Sequence, residues 1–552
     1  MQDFRYWHVL SFLAATSSIL ISSPLLAASA NLPALEMRQM REAWQREKVA
    51  QEALDLQKNA ETQAAMPEAH KADVPAGAFS FELKSIGHTA SEVLTEDEFT
   101  GAVSPWIGKR ITTTDIAEIL NAVNRLYRSK GYVVCLALVK PQRIRDGHLT
   151  LTLVEGKTDE VTVSGNETTS TSYIENAFHF EEGKTANYQT MLDDLVRFNM
   201  TNDATLQIDM GPGTKPMTTS YRINTTEPRR WGASAFFDTT GSRSTGRARG
   251  GVTLTNRSLF GRRDAVTLLG MASRGNKSGM LGYAIPLNSR GTKLSLSGSY
   301  SDVKVVKGPS EDRDVKGKSW MISARLEYPV YVSSTGKVTL WGEASRLNSK
   351  TDAFADVSVA DSRTVAMTGG IDFLHIEGNS GIYTGSVSFT EHHVKDRLFE
   401  TKTHYDLFTA SFAGRNTFAC DLSVTVSGRL QMKVAGDELN SSDYFYLGHT
   451  NGVRGYDNDL IGAEAGISGS VEVAYPIFGP KTSLYAFADG GRFNGIEVSK
   501  QRYLYSAGLG FTWQPYDWAY INATVAFPLK RHLADGTYVG RARGDVTVSV
   551  IW

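Results

Sequence analysis

The chain has 552 residues, enough for several domains, and 58 Lys plus Arg against 59 Asp plus Glu leave a net charge of −1. That balance excludes a global basic field for nucleic acid. The 50 glycines, 24 Phe and 22 Tyr lean toward β-structure, and a hydrophobic fraction of 41% still admits a membrane barrel, where only alternate strand residues face lipid. Cys135 and Cys420 are too few and too far apart for a disulfide framework.

Residues 1–30 read as a secretory signal: Arg5 and His8, an apolar core from Val9 to Ile21, and an A-x-A site at Ala28-Ser29-Ala30. The core is too short for a helical span, and no later segment reaches the roughly 18 apolar residues that one needs. A secreted chain without a helical anchor is periplasmic, extracellular or an outer-membrane barrel. From Leu35 to Ala64 the composition favours a helix, with Met37, Met40 and Trp44 as its one apolar stripe. A helix so polar belongs in water or in a water-filled lumen, not in a core. Residues 65–78, with Pro67, Pro75 and Gly77, read as a tether.

Residues 79–157 give strand, helix, helix, strand, strand. Phe79 to Ile86 is the first predicted strand. Ile116, Ile119, Leu120, Val123, Leu126 and Tyr127 keep helical spacing up to Gly131, and Val133 to Val139 reads as a continuous strand. Leu149, Leu151 and Leu153 alternate with threonines. A diverged copy follows over 158–228. Val161 and Val163 open it, Tyr188, Met191, Leu192, Leu195 and Phe198 form its helix, and Leu206–Met210 and Ser220–Asn224 close it around Gly211–Gly213. A small sheet with an open edge can accept an unfolded chain as an added strand.

From Arg230 the chain alternates with a dyad period. In Asp421–Val434, Leu422, Val424, Val426, Leu430 and Met432 share one face, and in Tyr503–Trp513 so do Tyr503, Tyr505, Leu509 and Trp513. The last strand sets Val546, Val548, Val550 and Trp552 outward. About sixteen such segments occur, an even number. Short turns (260–264, 378–381, 478–482) alternate with longer loops (303–316, 348–362, 435–465, 528–543), as a barrel with both ends in the periplasm requires.

The longest loop contains GVRGYDNDLIG, Gly452–Gly462, and a strand about thirty residues on contains FADGG, Phe487–Gly491. An Arg fork matches a carboxylate's two acceptors, so Arg454 is predicted to reach Asp489 inside the barrel, in a partly hydrated contact. Gly452 and Gly455 allow the backbone to turn, and Tyr456 packs on the wall.

These residues carry a resemblance. Val453-Arg454-Gly455-Tyr456 resembles the inward-folded loop motif of outer-membrane transporters with POTRA domains, and Phe487, Asp489 and Gly491 match their FxDxG strand pattern. YRSKGY (Tyr127–Tyr132), Pro141-Gln142 and GHLTLTLVEG (Gly147–Gly156) resemble the first POTRA domain of two-partner secretion transporters, the TpsB family. The resemblance implies a signal peptide (1–30), a plug helix (31–64), a linker (65–78), POTRA domains at 79–157 and 158–228, and a transmembrane β-barrel of about 16 antiparallel strands at 229–552. It also implies a Gram-negative outer-membrane location with the POTRA domains in the periplasm. The modules would capture an unfolded TpsA-type exoprotein, and the barrel would export it without ATP, driven by folding outside. The terminal Trp552 resembles the signal read by the barrel assembly machinery. Alternatives are a Bam- or Tam-like assembly factor, or a passive porin or uptake receptor.

No enzyme motif survives inspection, and no cofactor or metal is expected. GKT at Gly156 and Gly183 and GKS at Gly317 lack the upstream glycine of a phosphate loop, and HExxH and GxSxG are missing. Glu391-His392-His393 reads as a loop face.

Overall fold

The computed structural model describes residues 31–60, 80–308, 310–354, 356–450, 452–458, 461–494, 501–533 and 537–552. The predicted signal, the tether, residues 61–64 and Phe79 lie outside these. The chain forms two compact units, one of Met1–Glu61, Met200–Asp203 and Pro228–Trp552, the other of Thr62–Asn199 and Ala204–Glu227.

The smaller unit holds two modules, each a three-stranded sheet with helices. In the first, His148–Val154 lies between Ser85–His88, which runs parallel to it, and Leu136–Leu138, which runs antiparallel. Helix Thr113–Ser129 buries Ile116, Ile119, Leu120, Val123 and Tyr127 on one face, the predicted stripe. Its capping box links Thr112 and Asp115 reciprocally. The second module orders Lys157–Ser164, Thr218–Thr226 and Thr205–Pro212, with helix Tyr188–Thr201 packed through Met191, Leu195 and Phe198.

Two expectations fail locally. The first strand is two: Ser80–Glu82 pairs with Arg110–Thr112, and Ser85–His88 joins the other sheet. Leu83 N–H has gone to Lys109 O and Lys84 N–H to Gly147 O, so the chain changes partners between them. The strand expected over Val133–Val139 shrinks to Leu136–Leu138, because Cys135 N–H turns back to Tyr132 O and Asn124 Oδ1 takes Ala137 N–H. In the second module the short helix Thr171–Glu175 is the first of the two helices that a copy of the same order calls for.

In the larger unit sixteen antiparallel strands, Trp231–Asp238 through Arg543–Ile551, close into a barrel. The last strand pairs with the first from Thr547↔Asp238 to Ile551↔Ser234, and Trp552 continues the seam by exchanging backbone bonds with Ala233. Dyad sequence sorts the side chains. On Ser423–Gly436, Val426, Met432 and Val434 are exposed outward, while Thr425, Ser427, Arg429 and Gln431 line the lumen. On Tyr503–Tyr516 the exposed set is Tyr503, Tyr505, Leu509, Trp513 and, at the strand's end, Tyr516. Exposed Trp231, Tyr331, Tyr475 and the stacked pair Tyr516–Trp518 sit at the end of the barrel where the chain enters and leaves it, as an interfacial girdle does.

The loop expected over 348–362 is mostly strand. Lys316–Ser333, Gly336–Ala353 and Val357–Glu377 run 18, 18 and 21 residues, and only 354–356 connect the last two. A tilted strand crosses a bilayer in about 9–11 residues, so these project well beyond it. Glu391-His392-His393 is not a loop face either. It lies on strand Gly381–Asp396, with His392 buried and His393 exposed on the other side.

Helix Leu32–Ala60, 29 residues and so about 43 Å long, is in the same compact unit as the barrel. The predicted stripe meets the barrel's inner side: Met37 packs on Met321 and Leu347, and Met40 on the cluster of Leu269, Met271 and Met280. Its polar side chains find partners too. Glu36 accepts from Thr245 and Asn276, Arg41 pairs with Glu343, Glu52 with Lys337, and Gln57 donates to Gly378 O. A helix with only a sparse apolar stripe is thus satisfied by a mostly polar lumen, and a cavity of about 1250 Å³ remains beside it.

Candidate functional site: the inward loop and its wall

Three neighbouring strands build the wall: Ala465–Pro476, Thr482–Asn494 and Tyr503–Tyr516. Register aligns Ser470, Asp489 and Ser506 in one row across them. Phe487, Asp489 and Gly491 are two apart, so all three face inward and are buried.

Between Ser423–Gly436 and Ala465–Pro476 the chain folds into the barrel. It makes a short hairpin, Phe445–Leu447 with Ile461–Ala463, and buries Val453, Tyr456, Phe493 and Leu504 in a small core. Gly452 and Gly455 take φ of +96° and +92°, a left-handed backbone that side chains with a Cβ rarely adopt.

Arg454 issues from this turn. Its backbone N–H and its Nε both donate to Asp489 Oδ2 at 2.9 Å, and Nη2 donates to Asp489 Oδ1 at 2.9 Å. Nη1 donates to Glu472 Oε2 at 2.8 Å and Nη2 also to Ser470 Oγ at 3.0 Å. The guanidinium lies 3.5 Å from the Phe487 ring centroid. Phe487 is therefore the floor under the cation and Asp489 its anchor. Gly491 is the space for the loop, since a Cβ there would come 2.7 Å from both Leu447 methyl carbons. The contact is hydrated on the Arg454 side only, as a partly hydrated pair would be: that side chain is 15% exposed and lines the lumen cavity, while the Asp489 side chain is 1% exposed. Tyr456 donates its hydroxyl to Tyr505 O and accepts Lys530 N–H.

Sequence reasoning missed half of this site. Glu472 is the second carboxylate, and its signal was present: an acidic residue between Val471 and Val473, on the inward parity of its strand. It also missed the far side of the loop. Arg543 and Arg247 donate to Asp457 Oδ1 at 3.0 and 2.6 Å, His449 lies 3.2 Å from Asp545, and Asn458 donates to Thr240 O. The barrel's groups here come from the last strand and the loop after the first, so the infolded segment reaches from the wall to the barrel's closing seam.

The loop also meets the helix. Arg38 pairs with Asp443 and bonds His392 at 3.0 Å; Tyr405 donates to Asp443 Oδ2 at 2.6 Å, and Asn31 to Ser441 Oγ at 3.1 Å.

A closed barrel holding a polar helix and an infolded loop, preceded in the chain by two small α+β modules, defines an outer-membrane transport barrel. The chain belongs to the haemolysin secretion/activation protein family ShlB/FhaC/HecB, whose profile matches residues 218–513; that of the ShlB-type POTRA domain matches 81–156. The heme/hemopexin transporter protein HuxB of Haemophilus influenzae is 21% identical over 485 residues, 82% of this chain and 84% of its own length. Among solved structures, CdiB from Escherichia coli aligns with a TM-score of 0.68 at 18% identity, covering 92% of this chain and 97% of CdiB. BamA from Haemophilus ducreyi lacking POTRA domains 1–3 gives 0.55 at 13% identity, covering 86% and 100%. Family and fold place the chain in the outer membrane with its POTRA domains in the periplasm.

Proposed function

We propose that this protein captures an unfolded TpsA-type exoprotein at its periplasmic modules and exports it through the barrel without ATP, as the translocator of a two-partner secretion pair. The observation that carries this is a lumen filled by separable parts. Among the described residues the helix is held by side-chain packing and hydrogen bonds to the wall, and the loop by a small apolar core, one polar cluster at the wall and another at the seam. A passive porin has no use for such a helix. The modules leave edge strands Ser85–His88 and, beyond Thr158, whose backbone groups are bonded to Gly183 and Lys184, Lys157–Ser164; such edges bind many sequences through the backbone.

In this reading residues 1–30 are the signal, 31–64 the plug, 65–78 the linker, 79–157 and 158–228 the POTRA domains and 229–552 the barrel. Arg454 and Asp489 hold the loop in the export-competent position, Trp552 is read by the assembly machinery, and no residue is catalytic. The likeness to BamA favours a second reading, assembly of other barrels. Co-expression with a candidate TpsA-type exoprotein separates them. Export of that protein into the medium, dependent on this chain, supports secretion. Loss of other outer-membrane barrels on deletion, with export unchanged, supports assembly.

A further inference from the structure

The outward face of strands Gly381–Asp396 and Lys402–Thr417 changes character abruptly. Cross-strand pairs run Phe389↔Phe408, then Glu391↔Asp406, then His393↔His404, then Lys395↔Lys402. The Phe pair belongs to the apolar wall. One step toward the connecting turn, two carboxylates stand directly opposite each other, an arrangement that repels and destabilises a sheet unless a cation joins it.

The imidazoles are aimed at those carboxylates. Glu391 Oε1 lies 3.0 Å from His393 Nε2 and 3.1 Å from His404 Nε2, and the imidazole ring centroids are 4.7 Å apart. One donor atom from each of Glu391, His393 and His404 falls within 4.8 Å of the others. Asp406 Oδ1 is 3.8 Å from His404 Nε2, is buried, and accepts no hydrogen bond from a described residue. Zinc bonded at about 2.0–2.1 Å to such donors sets them roughly 3.3 Å apart; both Glu391–imidazole contacts are already that close, so turning the imidazoles and drawing in Asp406 completes a tetrahedron. Three of the four side chains remain 42–58% exposed, leaving a path for an ion.

The geometry points to a site for a divalent transition-metal ion of the zinc class on the outer barrel wall, with His393, His404 and Glu391 as ligands and Asp406 as the fourth. Two imidazole nitrogens select against magnesium and calcium, which take oxygen ligands. The ion clips adjacent strands where they leave the bilayer. His392, between Glu391 and His393, points the other way, stacks on Tyr405 and bonds Arg38 of the lumen helix, so the clip holds the strand on which the helix is latched.

The test is calorimetric titration of the tag-free full-length protein, in detergent micelles, with zinc chloride. It is repeated with His393→Ala/His404→Ala and with Glu391→Gln, each confirmed as a folded barrel by its heat-modifiable gel mobility. The wild type binds one equivalent, excess magnesium does not displace it, and zinc raises its melting temperature. The double variant loses both the binding and the thermal shift, and Glu391→Gln weakens them. Zinc X-ray absorption shows two imidazoles in the wild-type shell. A wild type that binds no zinc overturns the site and leaves a hydrogen-bonded cluster only. Binding undiminished in the double variant overturns it equally.

Discussion

Arg454 commits four of the five N–H donors of its guanidinium to hydrogen bonds. Two carboxylates, a serine hydroxyl and an aromatic face take up the guanidinium, while its own N–H binds Asp489 as well. Removing one partner of such a buried pair costs about 3–5 kcal/mol, because the other charge is stranded. Asp489→Asn is therefore expected to free the loop while the barrel still inserts, read as new protease cleavage near Gly452 in intact cells. Arg454→Lys keeps the charge and loses the fork, and it is expected to behave like Arg454→Ala, with export abolished at normal outer-membrane levels. The two cysteines make a simpler prediction. Burial, and next the Glu155 carboxylate, push the Cys135 thiol up to about 12, whereas Cys420 is exposed on a turn. A maleimide at neutral pH is expected to label the native protein once, at Cys420. A second label before denaturation would show that the first POTRA core is open.

At the scale of elements, the lumen helix and the loop act on each other. The Arg38–Asp443 pair joins them, and Tyr405 and His392 of the barrel brace it. Deleting residues 31–60 is expected to raise single-channel conductance in planar bilayers. Arg38→Ala and Asp443→Ala are each expected to raise the open probability. If the two side chains act through their contact, the double variant exceeds neither single one, which a double-mutant cycle measures. The strands were readable in sequence where the dyad period was clean, as on Ser423–Gly436. They were misread at 348–362, where strands continue past the bilayer and their outward faces turn polar, so that wet strand looks like loop. In the small modules, Val133–Val139 looked like a strand because apolar runs do, but a turn and the Asn124 side chain took its backbone groups.

For the whole molecule, the order of parts was legible because each has its own pattern: sparse-stripe helix, two βα modules, then alternating strands. The candidate site was legible in part. Arg454 and Asp489 stand in motifs, and the spacing of Phe487, Asp489 and Gly491 fixes them on one face. Glu472, Asp457 and Asn458 were not found, since their roles depend on which strands the closing of the barrel brings opposite the loop. No local pattern carries that information.

The central claim is that the exported chain passes through this lumen. The most direct measurement is disulfide trapping of a stalled exoprotein, carrying one cysteine, against two positions on a single strand of a Cys420→Ser background. Thr425 lines the lumen and Val426, its neighbour, is exposed on the outer wall. The account predicts a cross-link with Thr425→Cys and none with Val426→Cys. Equal trapping at both, or none at Thr425→Cys while the exoprotein is stalled at the transporter, would contradict it.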